Sequence, residues 1–446
     1  MDFYQCRFCS SQLKKIFVDL GTTPLSNSFL KSQNLDKPEK KFPLKVFVCE
    51  KCLLVQVPEF ETPNEIFSDY AYFSSYSKSW LKHAEKYADM IIKKNHLTKN
   101  SLVIEIASND GYLLQFFKDK NIPILGVEPA VNVAKVAKEK GIPTITKFFG
   151  VDTANELKNE GKLADLIVGN NVLAHVPNLN DFVKGLKILL KPNGVITLEF
   201  PHLLQLIQQN QFDTIYHEHF SYFSFLAVQK IFSHHQLTIF NADEILTHGG
   251  SLRIYVKHEE NKNYVISNNI KKILQNEIQL GLTDISTYIN FQKQINQIKK
   301  NIQEFFISAK KTHKKIVCYG AAAKGNTLLN YCEIGNDVIE YVVDRSEYKQ
   351  GLYLPGSHIP IKSPDEIFKT KPDYVLILPW NIKDEIMNQM KMIQKWEGKF
   401  VIPIPEIKVI GSSGATVSKV TGPSDSLDSI SGTSQYYLGK NIKKTD

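Results

Sequence analysis

The sequence predicts an α/β protein in which a small cysteine-bearing lobe precedes two doubly wound domains. Two C-x-x-C pairs lie within the first 52 residues. Two later stretches, 102–128 and 316–344, each read as a strand, a tight loop, a helix and a second strand. With 446 residues, of which 43% are apolar and 22% charged, the chain is long enough for two or three globular domains.

Charge and hydropathy exclude several classes of protein. No run approaches the ~20 apolar residues of a membrane-spanning helix, and the N-terminus lacks the pattern of a signal peptide, so we expect a cytoplasmic protein. The formal net charge of +8, from 54 basic and 46 acidic side chains, comes mostly from lysines scattered along helices. This pattern favours a solvated surface over a nucleic-acid interface, and a modest positive field suits an anionic small substrate.

The N-terminal cysteines form two knuckles with metal-ligand spacing. Cys6 pairs with Cys9 and Cys49 with Cys52, a distribution that is not typical of a disulfide scaffold. Four thiolates complete a closed tetrahedral set with no open position, which predicts structural Zn²⁺. A redox dithiol is the alternative, although a thioredoxin-like context is missing. The polar, turn-rich stretch 19–28 between the knuckles reads as a loop.

The stretch from 102 to 128 is typical of an adenosine-binding βαβ unit. Its first strand contains Glu105, the next loop contains Asn109 and Gly111, and the second strand ends in Glu128. A carboxylate about 20 residues after such a loop can reach ribose hydroxyls. The single glycine disfavours close approach of a pyrophosphate and favours S-adenosylmethionine, with another nucleotide or a structural turn as alternatives.

The central sheet continues beyond this unit. Strand patterns follow at 165–169 and 195–199, and Asn170 comes directly after the first of them. A further pair near 237–241 and 251–257 is expected to close the sheet with an antiparallel edge. This ordering resembles the seven-stranded methyltransferase fold.

Four titratable side chains are crowded into the run Tyr216, His217, Glu218 and His219. His219 is a candidate general base near neutral pH, and Glu218 or Tyr216 can orient it or polarise a carbonyl. The run lacks both the helical histidine pair of H-E-x-x-H and an evident third metal ligand. Catalysis is the favoured interpretation, with a metal site and a structural polar cluster as alternatives.

Two further motifs flank this part of the chain. The run 70–77 alternates tyrosines with small polar residues, and it either lines a site or packs between domains. The run 248–253, which begins with His248 and ends with Arg253, can place backbone N–H groups and a cation beside an anion. An ordinary turn into a strand accounts for it equally well.

The C-terminal half begins with a long amphipathic helix and continues into a second α/β domain. Ile295, Ile298 and Ile302 recur at spacings of three and four. The unit 316–344 has a glycine-bounded loop before a helix N-terminus, and Asp344 lies about 20 residues further on, so a Rossmann-like domain fits. Beyond 410 the composition turns to Ser, Thr and Gly, which predicts a flexible tail.

These motifs, in their order, resemble those of the zinc-containing deoxysugar C-methyltransferases over residues 3–410. The motifs are C-x-x-C at 6 and 49, L-G-x-x-P-L-x-N at 20–27, Y-x-Y-F-S-S-Y-S at 70–77, E-I-A-S-N-D-G at 105–111, Y-H-E-H-x-S-Y-F-S at 216–224, H-G-G-S-L-R at 248–253 and Y-G-A-A-A-K-G-N at 319–326. One match is weak evidence, whereas seven in order are specific. The resemblance implies transfer of methyl from S-adenosylmethionine to C3 of a nucleotide-linked 4-keto deoxysugar.

The resemblance also implies roles for individual residues. A 4-keto group acidifies the neighbouring C3 proton, so a base can form an enolate that attacks the sulfonium methyl. His219 is implied as this base and Glu218 as its support. The residues implied to contact the ketone or the enolate oxygen are Tyr216, His175 and Tyr70. Those implied to hold the methyl donor are Glu105, Asn109, Gly111, Glu128 and Asn170. Those implied to hold the substrate are Tyr72, Tyr76, Tyr222, Arg253, Lys324 and His358.

We therefore expect an α/β enzyme with S-adenosylmethionine and structural Zn²⁺ as cofactors. The expected parts are a zinc-binding lobe (1–70), a seven-stranded S-adenosylmethionine-dependent methyltransferase domain (71–260), a linking helix with a Rossmann-like domain (261–410) and a flexible tail (411–446). The expected partner is a nucleotide-diphosphate 4-keto deoxysugar, bound by a monomer or a dimer, without nucleic acid or membrane. The alternatives are an O- or N-methyltransferase of a related sugar, an NAD-dependent sugar oxidoreductase that uses the C-terminal loop, and a non-catalytic sugar-nucleotide-binding scaffold.

Overall fold

The computed structural model describes residues 4–62, 65 and 73–411, together with the backbone of 416–419. The predicted contacts Tyr70 and Tyr72 lie outside these described residues. Within the described part of the chain, no helix is both long and apolar enough to cross a membrane. Three sheets carry the architecture.

Strands and helices alternate along most of the chain. The strands in the described residues are β1 (Lys15–Thr23), β2 (Phe42–Val48), β3 (Val55–Gln56), β4 (Val103–Ile106), β5 (Ile124–Val127), β6 (Thr144–Ile145), β7 (Ala164–Asn170), β8 (Leu190–Pro201), β9 (Ser221–Tyr222), β10 (Leu237–Ile245), β11 (Ser251–His258), β12 (Ile316–Tyr319), β13 (Val342–Val343), β14 (Ile361–Lys362), β15 (Tyr374–Ile377), β16 (Lys399–Ile402), β17 (Lys408–Ile410) and β18 (Thr416–Lys419). The helices are α1 (Lys78–Lys94), α2 (Leu114–Lys118), α3 (Val131–Glu139), α4 (Val151–Asn159), α5 (Leu179–Leu189), α6 (Leu203–Gln208), α7 (Phe225–His234), α8 (Asn268–Leu280), α9 (Ile285–Lys311), α10 (Ala323–Tyr331), α11 (Glu366–Thr370) and α12 (Lys383–Gln389).

The central sheet has the strand order β10–β11–β8–β7–β4–β5–β6. β11 pairs antiparallel with both β10 and β8, which confirms the predicted antiparallel edge, and the other neighbours are parallel. The strand order reverses between β4 and β7, so the carboxyl ends of these strands open a crevice there. The fully buried run of β4 shows that both faces of the sheet are covered, as a parallel sheet requires.

A four-stranded antiparallel sheet, in the order β1–β2–β3–β9, joins the N-terminal lobe to the central domain. The strands β1 to β3 belong to the lobe, whereas β9 lies just after the tyrosine–histidine–glutamate–histidine run. Val55 pairs with Tyr222 and Gln56 with Ser221. The prediction of a loop over 19–28 is wrong for its first half, because residues up to Thr23 form the second half of β1.

The C-terminal sheet has the order β14–β13–β12–β15–β16–β17–β18. Its first five strands are parallel, as the second βαβ unit predicts, and β17 and β18 add an antiparallel edge. Because β18 lies at 416–419, the sheet extends past the expected start of the tail at 411. The predicted long helix is α9, whose Phe291 stacks on Phe17 of β1 with 4.7 Å between ring centroids. This contact ties α9 to the N-terminal lobe.

Candidate active site

A cavity of about 630 Å³ lies where the three parts of the chain meet. The N-terminal lobe contributes Leu25, Asn27 and Ser28, and the C-terminal domain contributes Lys324 and Lys349. The central domain supplies much of the remaining wall from the carboxyl ends of β4, β5 and β7 and from the segment before β9. The polar side chains of this wall include Asn109, Glu128, Asn170, His175, Tyr216, Glu218, His219 and His248.

The loop after β4 forms one wall of the cavity. Gly111 turns this loop with a φ of +76°, and a Cβ atom there would lie 2.2 Å from Ile142 Cδ1, so glycine is required. The Glu128 carboxylate accepts the backbone N–H groups of Asn109 at 2.9 Å and Ala130 at 2.8 Å. Burial raises the pKa of Glu128, while both hydrogen bonds favour its ionised form. The wall thus holds a fixed carboxylate at the end of β5.

Asn109 and Asn170 complete this wall. The side-chain oxygen of Asn109 accepts the backbone N–H of Ser74 at 3.0 Å. Neither polar atom of the Asn170 amide has a hydrogen-bond partner among the described residues, although both atoms are buried and the residue lines the cavity. Buried polar atoms without partners are rare and point to a missing ligand. With the carboxylate of Glu128, they fit the ribose and amino-acid groups of S-adenosylmethionine.

The tyrosine–histidine–glutamate–histidine run divides between the cavity and the N-terminal lobe. Tyr216, Glu218 and His219 line the cavity. His217 instead donates from Nε2 to the Pro43 carbonyl at 3.2 Å and contacts aromatic rings of the lobe. Three titratable groups therefore face the cavity, and the fourth anchors the run to β2.

His219 is held as a neutral imidazole. Its Nδ1–H donates to the Thr214 carbonyl at 2.9 Å, and its Nε2 accepts the Tyr216 hydroxyl at 2.8 Å. Burial, reinforced by the positive charge that His175 can carry, lowers the pKa of His219 well below 6.5. Because Nδ1 keeps the proton, the lone pair that a general base needs is on Nε2.

Glu218 carries a buried carboxyl group and lines the same cavity as His219. The residue is 4% exposed, and its Oε1 accepts the Asn27 amide N–H at 2.7 Å. Burial raises the pKa of Glu218 to about 7, although the Asn27 hydrogen bond and the Lys349 charge oppose the shift. Its backbone carbonyl accepts Nδ1–H of His175 at 2.8 Å, and burial lowers the pKa of His175 to about 4. A carboxyl group that titrates near neutrality can accept or release a proton in a catalytic cycle.

Two lysines of the C-terminal domain bring positive charge to the cavity. Lys324 lies in the first turn of α10, where its Nζ donates to Asn381 Oδ1 at 2.7 Å and lies 4.7 Å from the centre of the Trp380 ring. Lys349 donates to the Ala321 carbonyl at 2.8 Å. Burial lowers the pKa of Lys324. An anionic group in the cavity would restore the solvation that these ammonium groups lose.

His248 and Trp80 form an aromatic part of the wall. The Asn171 amide donates to His248 Nε2 at 3.0 Å, and burial lowers the pKa of His248 to about 4, so its imidazole is neutral. The Trp80 ring meets the His248 ring edge to face at 5.3 Å and stacks on Tyr112 at 5.9 Å. These rings form an apolar border to the wall that contains Asn109, Glu128 and Asn170, which we call the methyl-donor wall.

The four N-terminal cysteines form a separate centre. Their Sγ atoms all lie within 4.8 Å of one another, and the pairs Cys6–Cys52 and Cys9–Cys49 are each 3.5 Å apart. Tetrahedral Zn²⁺ with Zn–S bonds of about 2.3 Å places sulfurs ~3.8 Å apart, so this thiolate set fits the ion. Gln56 Nε2 donates to Cys6 Sγ at 3.2 Å.

Comparison with known proteins agrees with both centres. Family models match residues 6–67 ("Putative zinc binding domain"), 80–241 ("Methyltransferase domain") and 246–405 ("C-methyltransferase C-terminal domain"). The C-methyltransferase NovU of Streptomyces niveus is 34% identical over 408 residues, which cover 92% of this chain and 97% of that protein. The chain belongs to the C-methyltransferase family.

Two other matches cover only part of this C-methyltransferase. The ubiquinone biosynthesis O-methyltransferase of Bartonella tribocorum is 28% identical over 100 residues, which cover 22% of this chain and 40% of that protein. The crystal structure of PH0226 protein from Pyrococcus horikoshii OT3 is 16% identical, covers 45% of this chain and 99% of its own, and has a TM-score of 0.35.

The C-methyltransferase has two cofactors. S-adenosylmethionine belongs in the central domain, where Asn109, Glu128 and Asn170 would hold it, and when bound it supplies an electrophilic methyl group. Zn²⁺ belongs in the cysteine centre, where four thiolates leave no open position for a substrate or water. The metal is therefore structural.

Some residues predicted to hold the methyl donor do not line the cavity themselves. Glu105 is 1% exposed in β4, and burial, together with the Glu128 and Asp110 carboxylates, raises its pKa well above 4.5. Gly111 shapes the loop through its positive φ. Both residues lie beside the cavity wall and support the Asn109 loop.

Arg253 and His358, which were predicted to hold the substrate, contact carboxylates outside the cavity wall. Arg253 binds the Glu199 carboxylate through Nε at 2.6 Å and Nη2 at 2.5 Å and is 7% exposed. His358 Nε2 lies 2.7 Å from Glu39 Oε1 in the N-terminal lobe. Neither side chain lines the cavity, whereas that of Lys324 does.

Tyr222 and Tyr76 also lie outside the cavity wall. Tyr222 belongs to β9, is 6% exposed and has its ring centroid 6.1 Å from that of His219. Tyr76 is 58% exposed and stacks on Phe73 at 5.4 Å. Tyr222 therefore packs near the His219 imidazole without lining the cavity, and Tyr76 lies at the surface.

Several residues of the cavity wall were missed by sequence reasoning, including three whose contacts are described above. Asn27, Trp80 and Lys349 line the cavity, and none was predicted as a site residue. For Asn27, the motif L-G-x-x-P-L-x-N was a signal, because it ends on this residue. No local pattern marks Trp80 or Lys349, since tertiary folding alone brings them to the cavity.

Proposed function

We propose that the chain transfers the methyl group of S-adenosylmethionine to C3 of a nucleotide-linked 4-keto deoxysugar. The observation that carries this proposal is a neutral His219 imidazole, bonded to Tyr216, in the same cavity as the methyl-donor wall. Methylation at carbon requires loss of a C–H proton, whereas methylation of a hydroxyl or amine needs no enolate. A buried base beside an oxyanion donor suits the first reaction.

In the proposed reaction, the Tyr216 hydroxyl turns from His219 Nε2 to the ketone oxygen and leaves the Nε2 lone pair to the C3 proton. The C3–H bond breaks, the proton passes to Nε2, and the electron pair forms an enolate stabilised by the phenol. The enolate carbon then forms a bond to the methyl carbon as the carbon–sulfur bond breaks. Glu218 can receive the proton afterwards, because burial raises its pKa to about 7.

The charge of the C-terminal wall supports a substrate with a diphosphate. Lys324 and Lys349 reach the cavity from the domain opposite the methyl-donor wall. The oxidoreductase alternative is less favoured, because the loop after β12, from Gly320 to Lys324, lacks the third glycine of a dinucleotide-binding loop.

The test is methyl transfer from labelled S-adenosylmethionine to a panel of 4-keto sugar nucleotides, with the matching 4-hydroxy sugars as controls. We expect label on C3 of a keto sugar, located by NMR, and proton exchange at C3 in D₂O without methyl donor. Label on oxygen or nitrogen, or turnover of the 4-hydroxy control, would refute the enolate route.

A further inference from the structure

A segment of the N-terminal lobe passes over the active site. After β1, residues 24–39, which we call the strap, leave the lobe before the chain returns as β2. Leu25, Asn27 and Ser28 of the strap line the cavity. In the sequence, the whole strap lies between the two cysteine pairs, because Cys9 precedes β1 and Cys49 follows β2.

The strap touches the catalytic run through one polar contact. Asn27 Nδ2 lies 2.7 Å from Glu218 Oε1. A carboxylate has no proton to donate, so the amide nitrogen must donate this bond. Glu218 is buried, and Asn27 is the only side chain that gives the Glu218 carboxyl group a hydrogen bond in the described part of the chain.

The C-terminal domain fixes the strap on either side of Asn27. Just before it, the Asn326 amide donates to the Ser26 carbonyl at 2.5 Å. Just after it, Leu30 and Tyr353 exchange two backbone hydrogen bonds, each 2.9 Å long. Hydrogen bonds to the C-terminal domain therefore fix the backbone before and after Asn27, and this positions its amide against Glu218.

We propose that Asn27 is a positioning residue that orients the Glu218 carboxyl group and favours its ionised form. This inference rests on the proposed function only for its effect on turnover. A donated hydrogen bond stabilises the carboxylate more than it stabilises the carboxylic acid. The N-terminal lobe thereby contributes directly to the protonation state of the active site.

Few other groups around Glu218 stabilise its ionised form, so the contribution of Asn27 should be measurable. Lys349 favours the carboxylate by its charge, whereas His175 and His219 are neutral imidazoles because burial lowers the pKa of both. Tyr216 is bonded to His219. Burial acts against the carboxylate and raises the pKa of Glu218 to about 7, so loss of the amide donor should raise that pKa further.

The first experiment follows the ionisation of Glu218 without substrate. Chain labelled with ¹³C at glutamate Cδ is titrated by NMR, and the signal lost in Glu218→Gln assigns the residue. We expect Asn27→Ala to raise the midpoint by about one pH unit, a typical effect of one hydrogen bond to a charged group. Asn27→Asp, which has the same shape but no donor when ionised, should raise it further. Asn34→Ala removes the same amide elsewhere on the strap and should leave the midpoint unchanged.

The second experiment measures turnover of the 4-keto sugar nucleotide. A midpoint that rises from about 7 to about 8 lowers the ionised fraction at pH 7.5 from roughly 75% to roughly 25%. We therefore expect a threefold loss of kcat at that pH with KM nearly unchanged, and recovery of kcat near pH 9. An unchanged Glu218 midpoint in both Asn27 variants would overturn the inference. A shifted midpoint in a chain that turns over no keto sugar would refute the proposed function and retain the role of Asn27.

Discussion

Asp213 is a carboxyl group buried at the junction of the central and C-terminal domains, and its ionisation should destabilise the fold. Its Oδ2 accepts the Trp380 indole N–H at 2.7 Å, while its Oδ1 has no hydrogen-bond partner among the described residues. Burial raises its pKa to about 6 from 3.8, although the Lys324 charge and the indole oppose the shift. The folded chain therefore binds this proton more tightly than the unfolded chain does.

The substitution Asp213→Asn removes this penalty and keeps a carbonyl oxygen for the indole. A shift of about two units costs about 3 kcal/mol of unfolding free energy once the pH exceeds the folded pKa. The cost falls as the pH drops below about 6 and vanishes below about 3.8, where both states are protonated. With an unfolding entropy of ~2.1 cal/mol/K for each of roughly 400 residues, 3 kcal/mol corresponds to a Tm increase of about 3.5 °C.

Scanning calorimetry of wild type and Asp213→Asn at about pH 8 and about pH 4.5 tests this reasoning. We expect a Tm gain of about 3.5 °C at the higher pH and a much smaller gain at the lower one. Asp337→Asn, at a side chain that is 68% exposed, is the matched control and should change Tm little at either pH. An equal gain at both pH values, or no gain at pH 8, would show that ionisation of Asp213 does not destabilise the folded chain.

Three further substitutions test the active site and the metal centre. His219→Asn should abolish methyl transfer and C3 exchange in D₂O while S-adenosylmethionine affinity by calorimetry stays near wild type; retained turnover would remove its role as base. Cys49→Ser should lose zinc by mass spectrometry and lower the Tm of the N-terminal lobe, and unchanged metal content would contradict the four-thiolate site. Lys349→Met should raise KM for a diphosphate substrate about tenfold, with a smaller effect on kcat; an unchanged KM would exclude contact with the anion.

The sequence predicted those parts of the site that follow directly from a strand. Glu128 and Asn170 come at the carboxyl ends of β5 and β7, and in a doubly wound sheet these ends meet at the reversal of strand order. Their position is thus a consequence of local pattern and topology. The antiparallel edge was predictable for the same reason, because its two strands are separated by a short turn.

The partners of charged side chains were not predictable in this way. Arg253 faces Glu199, which is 54 residues away in sequence, and His358 faces Glu39, which is 319 residues away. Local spacing shows that a basic side chain is present but not which carboxylate it contacts, since tertiary folding brings the two together. Lys349 was missed for the same reason, since only the fold of the C-terminal domain brings its loop to the cavity.

The zinc lobe belongs to the active site although its metal has no catalytic position. Gln56 donates to the thiolate of Cys6 and pairs through its backbone with Ser221, two residues after His219. The loop closed by the metal also carries the strap, so Asn27 reaches Glu218 from the same lobe. Loss of zinc should loosen the pairing of β3 with β9 first, whereas the strap keeps its contacts with Asn326 and Tyr353 of the C-terminal domain. We therefore expect the structural metal to support the run 216–219 chiefly from the side of β9.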